Sequence, residues 1–389
     1  MKPSSLLLAA AVALCLVPTA AGAQSVAEID AAVQEGIQRG IYPGAVVVIG
    51  RRDSIIYARG YGHFTWNRAS PVPRPDSTIW DIASISKVVG TASAVMRLVD
   101  AGRLDLNAPV RQYLPRFSGG LKDLVTVRML LDHTSGLRSY APIFKRARTR
   151  ARAIELLYAE APTRHPGELP VYSDLNAMFL GLVVETVGKM PLARFVAREV
   201  FDPLELEQTT YHPPASVHRR TVPSALWRGH PVQGQVNDPN AVVFGGAAGH
   251  AGIFSTGSDL ARYAQVWLRG GAGPTGQWVS PSTIQVFLTR GTNSGPRLLG
   301  WDTPELNLDQ PSVFGTLISD AAYGHTGFTG TELWIDPTRD LFLVFLTNRT
   351  FDPKVRDSLH HLRDVRAELS DAAIRLVPHA CQQELVAQC

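Results

Sequence analysis

A serine and a lysine three residues apart, Ser84 and Lys87 in Asp81-Ile82-Ala83-Ser84-Ile85-Ser86-Lys87, open an apolar-periodic run that reaches Gly102. On a helix, positions i and i+3 share a face, so the hydroxyl and the amine fall side by side. A serine hydroxyl is a weak nucleophile until a base takes its proton, and an amine is that base only when neutral. Arginine outnumbers lysine by 32 to 6 in this chain. A lysine here therefore offers what arginine cannot, a cation able to lose its proton when desolvated. The ordinary alternative is a helix-capping serine followed by a lysine that snorkels to solvent.

Two later stretches carry further chemistry. Tyr172-Ser173-Asp174 follows the turn His165-Pro166-Gly167 and leads into a strongly apolar helix. A tyrosine there can present its hydroxyl to a cleft, and a neighbouring lysine is expected to lower its pKa and fit it for general-base work. Read without that lysine, Ser173 or Asp174 is a helix cap and Tyr172 packs as a staple. Gly324-His325-Thr326-Gly327-Phe328-Thr329-Gly330 lies where a strand meets a turn. Its glycines allow close approach, and such a strand edge can hold an acyl group and lend an N–H to an oxyanion. Taken alone it is also a plain glycine-bearing hairpin.

In the order S-x-x-K, Y-x-(N/D), (K/H)-T-G, the chain resembles the penicillin-recognising serine hydrolases of the β-lactamase and D,D-peptidase fold. It resembles in particular the branch of class C β-lactamases, D,D-carboxypeptidase-like proteins and related esterases. The flanks Leu130-Leu131-Asp132-His133-Thr134-Ser135-Gly136-Leu137, Gly249 to Thr256 and Leu333-Trp334-Ile335-Asp336-Pro337 extend the likeness over nearly the whole chain. The resemblance implies Ser84 as the acylated nucleophile, Lys87 as its partner in deprotonation, and Tyr172 as the proton shuttle. It implies an oxyanion hole from the backbone N–H groups of Ser84 and Phe328. Asp174, Asn176, His325, Thr326 and Gly327 would bind substrate, with no metal and no cofactor. The substrate would be a small-molecule ester, amide or β-lactam.

Asp174 stands where the family usually has asparagine, and His325 where it usually has lysine. A mostly neutral histidine and an added carboxylate weaken attraction for an anionic substrate by roughly 1–4 kcal/mol at partly solvated distances. Neutral esters or amides are therefore the expected substrates. A D,D-carboxypeptidase or weak class C-like β-lactamase is the alternative, and a slow-acylating penicillin-binding receptor without turnover is the third reading.

The elements that must position these groups follow from periodicity. Strands are expected at Gly44–Ile49, Ile55–Tyr61, Ala321–Gly327, Glu332–Ile335 and Leu341–Thr347. Helices are expected from a Ser25–Glu28 capping box, from Ser258-Asp259 to Leu268, and from about Asp352 to Leu376. Strands thus come first and last with a helical block between them. This order predicts an α/β (α+β sandwich) fold whose antiparallel sheet is built from both chain ends and flanked by helices, with an inserted, mostly helical lobe. Residues 24–380 would form one hydrolase domain, with a sheet lobe near 24–80 and 300–376, a helical lobe near 84–299, and a tail at 381–389.

Residues 1–23 read as an export signal: Lys2, the short apolar run Leu6 to Val17, and Ala21-Gly22-Ala23 before Gln24. The run is too short for a stable span, so the expectation is a periplasmic or secreted protein without a membrane span after cleavage. Cys381 and Cys389 could then pair as a local staple or remain free thiols in a frayed tail. The net charge is +4. The basic cluster Lys145 to Arg152 lacks interleaved aromatics and reads as a solvated face, so no nucleic-acid partner is expected. No G-x-S-x-G or H-E-x-x-H is present, and no G-x-G-x-x-G follows a strand in the glycine–alanine stretch Gly245 to Gly252. Oligomeric state leaves no signal.

Overall fold

In a computed structural model of the chain, residues 20–304 and 312–377 are described, apart from the side chains of residues 20–23 and Trp227. Cys381, Cys389 and most of the expected export signal lie outside them.

Five strands form one antiparallel sheet: β1 (Gly44–Arg51), β2 (Ser54–Gly62), β3 (Tyr323–Thr326), β4 (Glu332–Asp336) and β5 (Leu341–Thr347). Their order is β2-β1-β5-β4-β3, so the two chain ends meet where β1 pairs β5, with Ala45 opposite Thr347. The runs Val46-Val47-Val48-Ile49 and Leu341 to Leu346 are apolar without alternation because both faces of these strands are covered. One face, carrying Ala45, Val47, Trp334, Leu343 and Phe345, packs on helices α1 (Ala20–Gln38) and α5 (Ser358–Leu376). The opposite face, with Val46, Val48, Leu333, Val344 and Leu346, joins the core of the helical lobe. The result is an α/β sandwich with the helical block inserted between β2 and β3.

Several boundaries differ from expectation. Helix α1 begins at Ala20, and Ser25 sits inside it with its hydroxyl donating to the Arg375 carbonyl at 3.1 Å, so Ser25 docks α1 on α5 instead of capping it. Helix α4 (Gly257–Leu268) is capped by Thr256, whose hydroxyl accepts from the Asp259 N–H, and not by Ser258-Asp259. Helix α5 starts at Ser358, after Asp357 in the left-handed region (φ 52°). Helix α4 also packs on β1 and β5. Part of the stretch expected to form a separate helical lobe therefore covers the sheet. Among the described residues, no helix is long and apolar enough to cross a membrane.

Candidate active site

The short strand Trp80–Asp81 pairs with Phe254–Ser255 and delivers the chain to Ser84. The Asp81 carboxylate accepts the Ala83 N–H at 2.9 Å and the Asn237 N–H at 2.7 Å. Ala83 lies in the left-handed region (φ 48°), which costs a Cβ-bearing residue about 1 kcal/mol or more. The Asp81 bond is one of the contacts that hold it there, immediately before the serine. Ser84 sits in a 3₁₀ turn (Ala83–Ile85), where positions i and i+3 eclipse. Lys87 Nζ accordingly donates to Ser84 Oγ at 2.8 Å. Lys87 opens a π-helical turn, Lys87–Ala92, before regular helix resumes as α2 (Ser93–Asp100). Such turns recur at functional sites.

Lys87 is buried and also donates to the His250 carbonyl at 3.1 Å. That carbonyl reaches it because Gly249 lies against helix α3 (Asp174–Gly188): a Cβ there would fall 1.8 Å from the Ala177 carbonyl oxygen. The third partner of Lys87 is Asp174 Oδ1, at 2.8 Å. Burial pushes the Lys87 ammonium toward neutrality, but the charge of Asp174, with Tyr172 behind it, more than reverses this and holds its pKa above the ordinary lysine range. Burial opposes ionisation of Asp174, yet Lys87 and His250 outweigh it and keep the carboxyl below its ordinary value. The resting pair is an ammonium–carboxylate.

Two expectations are corrected here. Asp174 turns to Lys87, so its charge is largely spent on that partner and not on repelling a substrate anion. Lys87 does favour ionisation of the Tyr172 hydroxyl, but burial outweighs the lysine and the pKa is raised, not lowered. The half-buried ring has His133 at 4.9 Å, His325 at 5.8 Å, and the Lys87 and Arg297 cations over it at 4.9 and 5.0 Å.

Across the cleft, β3 carries His325, Thr326 and, just past its end, Gly327. A Cβ on Gly327 would lie 2.6 Å from the Ile82 carbonyl oxygen, so only glycine lets this strand end meet the loop that carries Ser84. Thr329 and Thr331 tie the two together, donating to the carbonyls of Asp81 (2.8 Å) and Ile82 (3.0 Å). Phe328 is 59% exposed at the rim. His325 donates through Nδ1 to the Thr326 carbonyl at 2.8 Å. Burial, against the pull of Asp302, pushes its pKa down to about 4, so the imidazole is neutral near pH 7.

Asn176 does not reach the cleft. It is fully buried, accepting from Ser135 Oγ at 2.6 Å and lying 3.1 Å from His133 Nδ1 through Nδ2. Positions i and i+2 of a helix face different ways, which sends Asp174 to Lys87 and Asn176 inward. Sequence reasoning missed Arg297, paired with Asp302, and the His250–Asp238 pair at 2.8 Å. His250 stood in a quoted flank, but Arg297 sits in a loop without any motif.

These groups surround a cleft of about 680 Å³ with Ser84, Tyr172 and Asp174 on one side and His325, Thr326 and Phe328 on the other. A family model described as Beta-lactamase matches residues 29–368. The chain belongs to the β-lactamase family. Curated relatives provisionally named D-alanyl-D-alanine carboxypeptidase, from Salmonella schwarzengrund (strain CVM19633) and Salmonella typhi, are 28% identical over 364 residues. Each match spans 85% of this chain and 84% of the relative. Among solved structures, EstCE1, a hydrolase with promiscuous acyltransferase activity, superposes with TM-score 0.70 at 21% identity over 91% of this chain and 99% of its own. A class C β-lactamase gives 0.72 at 19% over 91% and 97%, and a penicillin-binding protein homolog from Caulobacter crescentus 0.68 at 20% over 92% and 97%. These likenesses establish the β-lactamase fold. This family member is a serine hydrolase.

The buried titratable groups of this β-lactamase-family enzyme dictate its response to pH. Burial pushes Glu332 up to about 8, against the offset of Arg366. Its contribution is therefore complete below the unfolded value and is lost as pH rises through about 8. His325 has the opposite sign: its neutral form is the one the fold accepts, and stability falls as pH drops from 6.5 toward 4. Between about pH 4.5 and 6.5 these two contributions offset one another, and above 6.5 Glu332 alone lowers stability as pH rises to about 8. Glu332→Gln should remove that fall, a change of a few kcal/mol at most in melts taken from pH 6.5 to 8.

Proposed function

We propose that the protein hydrolyses carboxylic esters or neutral amides through an acyl-enzyme on Ser84. The observation that carries this reading is the 2.8 Å bond from Lys87 to Ser84 Oγ at the edge of the cleft. Lys87 passes a proton to Asp174, and the neutral amine then takes the Ser84 proton as Oγ attacks the carbonyl carbon. The N–H groups of Ser84 and Phe328 stabilise the oxyanion. As the tetrahedral intermediate collapses, Tyr172 protonates the leaving oxygen or nitrogen and is reprotonated by Lys87, which recovers its own proton from Asp174. Water attacks the acyl-enzyme by the same relay in reverse.

Three charged groups of the cleft wall face partners, Asp174 facing Lys87, Asp238 facing His250 and Arg297 facing Asp302, which favours a neutral substrate there. The exposed rings of Phe328 and Tyr140 and the exposed side chain of Leu359 border the opening and suit an apolar acyl group. Arg297 favours a second reading. Once freed from Asp302, its guanidinium would hold the carboxylate of a peptide or β-lactam substrate, the role lysine plays in the family pattern. Asp302→Asn is thus expected to raise kcat/KM for carboxylate-bearing substrates about tenfold and leave a short acyl ester within about twofold. Steady-state kinetics on a p-nitrophenyl ester, a cephalosporin and a D-alanyl-D-alanine peptide test both readings. Much faster cephalosporin or peptide turnover by the unaltered enzyme would overturn the first. Fluorophosphonate labelling of Ser84, read by mass spectrometry, tests the nucleophile. We also infer export, supported by the signal-like character of residues 1–23; a mature N-terminus at Gln24 would bear this out.

A further inference from the structure

Arg366 comes from the middle of α5, on the far side of β3 and β4 from the helical lobe, and is only 2% exposed. Its Nη2 donates to two backbone carbonyls, Gly327 at 3.2 Å and Thr331 at 2.8 Å. The Gly327 carbonyl belongs to the same peptide unit as the Phe328 N–H. In a trans peptide the two point in opposite directions within one plane. Among the described residues every peptide is trans. A guanidinium that fixes this carbonyl also fixes the direction of the N–H.

The neighbouring bonds have the same effect. The Gly330 N–H also donates to the Gly327 carbonyl, at 3.0 Å. Arg349 grips the next carbonyl, that of Phe328, from Nε at 3.1 Å and from Nη2, with its guanidinium 4.7 Å from the Phe328 ring centre. Phe328 is thus exposed as a side chain yet held by buried arginines at the carbonyls on both sides of its N–H.

The cost of placing Arg366 there is the second strand of the argument. Among the described residues, its Nε and both carboxylate oxygens of the buried Glu332 have no hydrogen-bond partner. The cation therefore lacks the direct ion pair that ordinarily compensates burial, and carbonyl oxygens are its hydrogen-bond acceptors. Two strand ends could be tied together far more cheaply by a hydroxyl, as Thr329 and Thr331 do on the other side. A buried positive charge is useful where negative charge develops during reaction.

We propose that Arg366 is a positioning residue of the oxyanion hole, acting on the Phe328 N–H through the Gly327 carbonyl and placing a buried positive charge behind it. The proposal rests on the acyl-enzyme reading above. The test uses Arg366→Gln and Arg366→Lys with a p-nitrophenyl ester and an alkyl boronic acid, whose adduct with Ser84 is tetrahedral and anionic. Sites are counted by fluorophosphonate labelling, so that only folded enzyme enters kcat.

Arg366→Gln is expected to lose about 10- to 100-fold in kcat with KM within about threefold, and to lose boronate affinity by a similar factor. Arg366→Lys keeps the charge and one donor and should fall between. A purely structural role would lower the melting temperature and the number of labelled sites, leaving kcat per site and boronate affinity unchanged; that result overturns the proposal. If the glutamine variant does not fold, the lysine variant decides, and wild-type kcat and boronate affinity there overturn it equally. Ser84→Ala separates the two layers. Ester turnover surviving in Ser84→Ala removes the acyl-enzyme reading and the oxyanion hole with it. A wild-type-like Arg366→Gln beside an inactive Ser84→Ala removes the role of Arg366 alone.

Discussion

Lys87→Met is expected to lower kcat/KM for an acyl ester by about 10³-fold or more, a loss of about 4 kcal/mol or more in transition-state stabilisation. Methionine is unbranched and of similar length, so the space is filled and the loss is chemical. Three partners are affected together. Ser84 Oγ and the His250 carbonyl lose a donor, and Asp174 loses the charge 2.8 Å away that keeps it ionised. Left without Lys87, the half-buried Asp174 carboxyl should hold its proton to higher pH, and the variant should melt lower than the parent. Adding Asp174→Asn should recover much of that stability without restoring turnover. Melting curves, ester kinetics and fluorophosphonate labelling of the single and double variants check each part. Retention of kcat/KM within tenfold of the parent in Lys87→Met would place the base elsewhere.

The contrast between Lys87 and its surroundings shows which features were legible in the sequence. The Ser84–Lys87 contact is local: three residues of helical or 3₁₀ rise bring the groups together whatever the rest of the chain does. The charge state of His325 was not legible: an imidazole is mostly neutral at pH 7 unless a carboxylate raises its pKa, and neither the nearness of Asp302 nor the burial that outweighs it shows in the sequence. Nor was the protonation of Lys87, because it is set by Asp174, which reaches it only through the packing of α3 against the π-helical turn.

Tyr172 makes the same point with the opposite sign. A neighbouring lysine argues for a lower pKa, and burial, a property of the whole fold, overrides it. Asn176 is different, because its inward orientation could have been read from helical phase: if Asp174 faces the lysine, the residue two positions on cannot. The strands were found from both chain ends because their apolar runs are dense. What α4 packs against was hidden, since periodicity reports that a face is apolar and not which partner covers it. Arg297 left no trace in pattern or motif, and only the loop geometry brings it over the Tyr172 ring.

Gly327→Ala should cost about 10²-fold or more in kcat while the chain stays folded. The added methyl carbon would sit 2.0 Å from Thr331 Oγ1, 2.6 Å from the Ile82 carbonyl oxygen and 3.3 Å from Ala83 Cβ. Thr331 can rotate away, at the price of its bond to the Ile82 carbonyl. The Ile82 carbonyl cannot, since it belongs to the backbone that presents Ser84. The strand end must therefore move off the loop that carries Ser84. A displacement of about 1 Å is enough to misplace an oxyanion donor, whereas overpacking of this size destabilises a fold by only about 1–3 kcal/mol. Loss of kcat should accordingly exceed the loss of stability. Gly327→Ala combined with Thr331→Ala separates the two contacts: removing the threonine side chain relieves the 2.0 Å clash and should raise the melting temperature, but the clash with Ile82 persists and kcat should stay low. If Gly327→Ala instead turns over ester at the parental rate, the end of β3 tolerates displacement from Ser84, and the Phe328 N–H is not the second oxyanion donor.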